Sequence, residues 1–419
     1  MRNLSLYFSV IVLFVLVGCG GGKDFNSSNE SLVGGKEIAN YSAKEVTNYA
    51  KEKGYISSTK ELYGFKAYKI PYTTTDGKGN IVHASGVMVV PTIDDASSEL
   101  KDKYNKLQSS GFAFVLDCHG TIFANKEAPS ELIAQSKNPE GTGLLFSSLG
   151  GFITLQPDYI GFGDSKEHYH PYLLEKPSAN SVKDFLQASI EFAQNNGIKL
   201  KPKQDTYLTG YSEGGYVALA ALEALEDDFY NIKIAAPMDG PYILEPFGDA
   251  IMGMDSIDAP SFVANFLYSY AKYYGKSIKS IIQEPYADNL NELLSGKYTR
   301  EQIDAILPSK LNGSNGLIKD SFIKSYSTSW LRVKLLKNSA IDLDFTAPRS
   351  KIRLIHCRGD NVIPYKIATE SKKYFKAVGA NVELITVEDR INSSPLKHIE
   401  CALPAYKIAL DIFTKDRDK

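Results

Sequence analysis

Hydrophobic and polar positions along the chain switch repeatedly between two periods. Residues 61–72 and 80–90 read as strands, and the turn-forming run Thr75-Asp76-Gly77-Lys78-Gly79 between them predicts an antiparallel hairpin. Residues 112–116 and 152–155 are short continuous apolar runs, the kind that are buried on both faces of a parallel sheet. Over 182–193 the apolar residues Val182, Phe185, Leu186, Ile190 and Ala193, with the small Ser189 among them, fall at helical spacing. Strands over 206–209, 232–237, 351–356 and 381–387 then alternate with helices over 216–225, 367–377 and 404–413. Strands alternating with helices predict an α/β class fold, a mostly parallel central sheet flanked by helices on both faces.

One interval breaks this rhythm. From Asp239 to Pro348 no convincing strand appears, whereas Phe262, Phe266, Tyr270, Tyr273 and Tyr274 make an aromatic stripe at helical spacing. Thr299-Arg300-Glu301-Gln302 is a capping-box start, and 318–336, with the only tryptophan, Trp330, reads as one further helix. A helical insertion before the strand over 351–356 is expected to cap a site at the ends of the strands, with its aromatics lining a pocket. The plainer alternative is a set of helices that only thickens the scaffold.

Composition narrows the class without naming a partner. A chain of 419 residues, 43% hydrophobic and 23% charged, has the material for a large buried core. A formal net charge of −2 provides no basic field for nucleic acid, so no nucleic-acid partner is expected. The 26 tyrosines and 20 phenylalanines are mostly core by default, with a minority available for an apolar cleft.

At the N-terminus Arg2 precedes the apolar run 10–17, and Leu16-Val17-Gly18-Cys19 ends it with a small residue and a cysteine. The run is shorter than the roughly 20 residues of a membrane span, which favours a cleaved signal. The stretch resembles a bacterial lipoprotein signal, which implies a signal peptide over 1–18 and a lipidated Cys19 that anchors the mature chain to a membrane. Gly20 in place of aspartate after the cysteine implies, by the same resemblance, an outer-membrane lipoprotein of the cell envelope where the host has two membranes. An ordinary secretory signal with an incidental cysteine is the alternative. Residues 19–40, rich in Gly, Ser, Asn and Lys, read as a flexible tether. The expected domains are then a first core part over 41–245, a helical cap over 246–346 and a second core part over 347–419.

The chemistry centres on Gly210-Tyr211-Ser212-Glu213-Gly214, placed where a predicted strand meets a predicted helix. Gly-x-Ser-x-Gly occurs by chance in roughly one chain in ten of this length, so its context decides. A strand-to-helix turn with small neighbours is the nucleophile elbow of a serine hydrolase, which exposes the serine oxygen above a sheet. Ser212 then needs a base to take its proton and an acid to orient that base. Of six histidines only His356 and His398 follow Ser212; His356 lies inside a predicted strand, whereas His398 lies in the expected loop before the last helix. Asp360 follows the strand 351–356 directly and is the expected acid, with Asp239, at the end of the strand after the elbow helix, as the competing position. For an oxyanion the expected donors are the backbone N–H of Glu213 and one from Asp117-Cys118-His119-Gly120-Thr121, Thr121 first and Gly120 second. His119 is then a turn residue rather than a second base.

Cys118, Cys357 and Cys401 are the other cysteines, an odd number, so at least one stays unpaired. Cys357 precedes Asp360 by three residues and Cys401 follows His398 by three, so a site that joins Asp360 to His398 also brings these two within reach of a disulfide. No Cys-x-x-Cys pair exists and only His168 and His170 are close in sequence, so no metal site is expected.

His119-Gly120-Thr121, Pro157-Asp158-Tyr159-Ile160-Gly161-Phe162-Gly163, His170-Pro171-Tyr172-Leu173, the elbow and Gly359-Asp360 together resemble the secretory lipase family of the α/β-hydrolase superfamily, from about Tyr63 to the C-terminus. The resemblance implies the α/β-hydrolase fold, a helical cap before the strand that carries the acid, and cofactor-independent cleavage of carboxylic esters, often of lipids. Glu213 departs from the glutamine or glycine frequent there, which leaves its backbone role intact and adds a charge beside the nucleophile. A serine peptidase on the same fold, and a surface lipoprotein that binds a ligand without catalysis, are the competing readings.

Overall fold

The computed structural model describes residues 34–57, 59–139, 141, 144–226, 230–341 and 346–419. The expected signal peptide and Cys19 lie outside the described residues. Among the described residues nine strands form one sheet: β1 (Lys36–Tyr41), β2 (Gly64–Thr75), β3 (Ile81–Thr92), β4 (Phe114–Cys118), β5 (Ile153–Pro157), β6 (Asp205–Tyr211), β7 (Asn231–Met238), β8 (Lys351–His356) and β9 (Val382–Thr386). Their order is β1-β2-β3-β5-β4-β6-β7-β8-β9. The first three and the β3–β5 pair run antiparallel, and every pair from β5 to β9 is parallel.

Helices α1 (Ala43–Glu52), α2 (Ser98–Ser110), α3 (Pro129–Gln135), α4 (Glu175–Asn195) and α5 (Glu213–Leu225) accompany the first seven strands. Between β7 and β8 come α6 (Leu244–Gly253), α7 (Pro260–Tyr273), α8 (Tyr286–Leu293), α9 (Arg300–Asp304), α10 (Asp320–Ser325) and α11 (Trp330–Lys337). α12 (Tyr365–Ala377), α13 (Val387–Ile391) and α14 (His398–Arg417) complete the chain.

The apolar runs are strands because both faces of the sheet are covered. Phe114, Leu116 and Leu208 face the cluster built by α4 and α5, whereas Val115, Tyr207 and Ile234 face the one built by α14 with Ile408 and Phe413. The period of two along each strand delivers alternate side chains to the two layers. On α4 the residues picked by helical spacing, Val182, Phe185, Leu186, Ser189, Ile190 and Ala193, are all buried. The predicted hairpin forms with Thr75 opposite Ile81, and the Asp76 carboxylate accepts from the backbone N–H of Lys78 and Asn80 at 2.9 and 3.1 Å.

Three expectations need correction. The tether ends earlier than residue 40, because 36–41 pair with β2 as an edge strand whose Ile38, Ala39 and Tyr41 rest on the cluster around Phe65. The single helix expected over 318–336 is broken into α10, a 3₁₀ turn at Tyr326–Thr328 and α11, since Ser329 turns extended and its hydroxyl caps Arg332 N–H. The last helix starts at His398, not at Pro404. Lys397 N–H donates to Glu400 Oε2 at 2.9 Å, which starts α14 a turn and a half before the proline.

Cys357 and Cys401 form a disulfide with a Cα–Cα distance of 6.1 Å, and Cys118 is a buried free thiol. The crosslink closes a loop of 44 residues, for which chain entropy predicts about 4 kcal/mol of stabilisation. Replacing both cysteines by serine is therefore expected to lower the unfolding free energy by about 2 to 4 kcal/mol, measured by urea titration.

Candidate active site

β6 ends at Tyr211 and α5 begins at Glu213, so Ser212 alone makes the turn. Its φ of 59° and ψ of −120° lie in a region that residues with a side chain seldom adopt. Close backbone approach makes the turn feasible. A Cβ on Gly214 would overlap the carbonyl oxygen of Cys118 at the end of β4, and one on Gly215 would lie 2.5 Å from that of Met238 at the end of β7. Ser212 N–H donates to Met238 O at 2.9 Å, tying the elbow to β7 as well.

The structure brings Ser212, His398 and Asp360 together. His398 Nε2 lies 2.9 Å from Ser212 Oγ, and His398 Nδ1 lies 2.6 Å from Asp360 Oδ2. With Nδ1–H donating to the carboxylate, Nε2 is left to accept the serine proton. Asp360 Oδ1 accepts the backbone N–H of Val362 and Ile363, each at 2.8 Å. Burial alone would raise the Asp360 carboxyl, but the His398 hydrogen bond and charge, with the Ile363 N–H among the smaller contributions, hold it below the usual carboxylate range. His398 is fixed further by its own N–H donating to Asn361 Oδ1 at 3.2 Å and by Tyr211 O–H donating to its carbonyl.

The expected oxyanion residues flank Ser212. Among the described residues no acceptor within the protein takes the backbone N–H of Gly120, Thr121 or Glu213. Gly120 approaches so closely that its Cβ would lie 3.9 Å from Ser212 Cβ. Thr121 Oγ1 is 2.9 Å from Tyr172 Oη, which anchors the turn from the side of the His-Pro-Tyr segment. His119 is packed as a turn residue: its ring stacks on Tyr159 at 4.0 Å, its nitrogens face the carbonyls of Gly120 and Asp158, and burial lowers its basicity.

Two residues escape sequence reasoning in their actual roles. The Glu213 side chain is 2% exposed and meets His170 Nε2 at 2.7 Å, so its charge turns inward rather than to a ligand. His170 stands in a motif quoted for its likeness to a family, but nothing in a separation of 43 residues announces the contact. Asp239, the competing acid, is also present: wholly buried, with φ of 43°, its Oδ1 accepts Cys357 N–H at 3.0 Å, and its carboxyl oxygens come within 4.8 Å of those of Asp360. Both acids occupy the site.

Asp239 forms geometric clusters of metal-ligand type with Cys357 and Cys401, and with His356 and Asp360. In the first the two sulfurs are joined in the disulfide; in the second His356 Nε2 meets Ile363 O at 3.0 Å and Asp360 meets His398 Nδ1 at 2.6 Å.

This sheet, with a serine turn after its central strand and an acid and histidine delivered by later loops, is the α/β-hydrolase fold. A model of the prolyl oligopeptidase family matches residues 143–238, the stretch that holds the elbow. Along nearly its full length the chain superposes on solved structures. A candidate hydrolase from Legionella pneumophila matches with a TM-score of 0.77 at 24% identity, covering 92% of this chain and 98% of that one. The rice cell wall degrading esterase LipA from Xanthomonas oryzae matches with a TM-score of 0.74 at 20% identity, covering 92% and 98%. Candida antarctica lipase A in its closed state matches with a TM-score of 0.63 at 14% identity, covering 90% and 81%. No curated protein sequence matches the chain.

Gly214→Ala is expected to destabilise the protein by more than about 3 kcal/mol, because its Cβ has only backbone to displace. Circular dichroism melting and soluble yield measure the effect, and Gly253→Ala, where a Cβ meets open space, is the matched control.

Proposed function

We propose that the protein is a serine hydrolase that cleaves carboxylic esters through an acyl-enzyme intermediate. The observation that carries this reading is the continuous hydrogen-bonded line Ser212 Oγ, His398, Asp360. His398 takes the serine proton as Ser212 attacks the ester carbonyl; the oxyanion is met by the N–H of Glu213 and of Thr121 or Gly120. The imidazolium then protonates the leaving alcohol, and His398 next activates water to release the acid.

Ester rather than peptide cleavage is favoured by what stands beside the site. A cavity of about 40 Å³ between the helical insertion and the core is lined by Tyr172, Phe247, Met254, Phe262, Phe266 and Val362 among others, and none of the described residues that line it is charged. Two of its lining residues contact the site, Tyr172 at Thr121 Oγ1 and Val362 through its N–H on Asp360 Oδ1. A peptidase that anchors a charged terminus needs a different lining. An esterase and a lipase among the fold relatives point the same way. In this reading α6 to α11 act as the cap, and a lipid on Cys19 holds the enzyme at a membrane of the cell envelope; the apolar run ending at Cys19 supports that anchor.

A fluorophosphonate probe is expected to label the folded wild type at Ser212, and a folded protein that stays unlabelled sinks the hydrolase reading. Ser212→Ala is expected to lower turnover by up to about 10⁶-fold; a loss near tenfold would place the nucleophile elsewhere. The small cavity predicts faster turnover of short than of long acyl groups, measured on p-nitrophenyl esters from acetate to palmitate. Hydrolysis of palmitate above that of acetate would contradict it.

A further inference from the structure

Behind His398 the site holds more carboxyl groups than a serine hydrolase requires. Asp360 already accepts three N–H groups: His398 Nδ1–H on Oδ2, and Val362 and Ile363 N–H on Oδ1. Asp239 accepts one good N–H, from Cys357 to Oδ1 at 3.0 Å. Its other oxygen lies 3.3 Å from Cys401 Sγ, which is oxidised in the disulfide and has no proton to give. Oxygens of the two buried carboxyls nonetheless lie within 4.8 Å of one another. Two buried carboxyls this close cannot both stay ionised cheaply, and a proton on one lets it donate to the other.

We infer that Asp239 is a positioning residue that keeps a proton at neutral pH and donates it as a hydrogen bond to the Asp360 carboxylate, fixing Asp360 against His398. The proton belongs on Asp239 because Asp360 is the better-solvated anion, with three donors against one. Burial first, and then the adjacent Asp360, push the Asp239 carboxyl well above the usual range. Among the described residues no lysine or arginine pairs with either carboxyl. His356 Nε2, 3.5 Å from Asp239 Oδ1, donates to Ile363 O, and burial keeps that imidazole neutral. Tyr211 and Tyr242 face the pair as buried phenols, and the carboxylate of Glu388 is occupied by the N–H groups of Arg358, Gly359 and Leu396. With one negative charge instead of two, the pair stabilises the imidazolium without a second buried anion left uncompensated. The inference rests on the hydrolase reading for its catalytic consequence, but the proton itself does not.

Two variants and one spectrum test it. In Asp239→Asn the side-chain amide would keep both the acceptor for Cys357 and a donor for Asp360, and asparagine tolerates a positive φ; glycine tolerates the same φ and removes the donor. Asp239→Gly is expected to lower kcat by about tenfold to a hundredfold with KM little changed, and Asp239→Asn to recover most of that loss. In wild-type protein carrying ¹³C-labelled aspartate, the carboxyl carbon that disappears in Asp239→Asn is expected to remain in its protonated position at about pH 7. A carbon that titrates with ordinary carboxylates near pH 4 would overturn the inference, as would Asp239→Asn losing as much activity as Asp239→Gly. If the protonated carbon is seen in a protein that hydrolyses no ester, the hydrolase reading fails and the proton assignment stands.

Discussion

The site depends on one constraint, the left-handed backbone of Ser212 held between carbonyls of the central strands. Conformations of this kind cost on the order of 1 to 3 kcal/mol, and they persist only where the surroundings leave no alternative. Here the ends of β4 and β7 press on Gly214 and Gly215, and Met238 O takes the Ser212 N–H. These strands lie in the middle of the sheet with buried side chains on both faces, so the elbow stands on a rigid part of the molecule. Everything else is positioned toward that fixed oxygen. β8 leads into Asp360, the end of β9 leads through α13 to His398, and the disulfide joins the two segments three residues from Asp360 and three from His398.

The helical insertion is fastened to this frame by buried polar groups. Tyr216 O–H on α5 donates to Asn338 O, Tyr270 O–H on α7 donates to Leu173 O, and Asn338 Oδ1 accepts Glu175 N–H. The aromatic stripe therefore divides in two. Phe262 and Phe266 line the cavity beside the site, whereas Tyr270, Tyr273 and Tyr274 pack on one another and Tyr274 reaches Trp330. Helical spacing shows that these side chains share a stripe, but the use of each depends on which hydroxyl finds a buried acceptor, and that acceptor belongs to another element.

Legibility followed the range of each signal. The alternation of strands and helices, the elbow and the order of Ser212, Asp360 and His398 are written in local patterns, and those patterns match where the structure puts these residues. β1 was hidden because its six residues show little alternation and rest on a neighbouring strand. Pro404 masked the start of α14, since a proline reads as a first turn while Glu400 had already capped the helix further back. Asp239 and Asp360 looked like rivals because chain order offers one slot for an acid, whereas space at the ends of β7 and β8 holds both.

Glu213 shows how a charge that looks like a departure can be absorbed. A lone carboxylate at the start of α5 would oppose the oxyanion expected beside it, since both would draw on the same N–H groups and helix end. The ring of His170 has Ile160 O 2.9 Å from Nδ1 and Glu213 Oε1 2.7 Å from Nε2. Both ring nitrogens are thereby engaged, and the Glu213 carboxyl is held by the His170 ring rather than left open at the elbow. The contact ties the first residue of α5 to the segment whose Tyr172 meets Thr121.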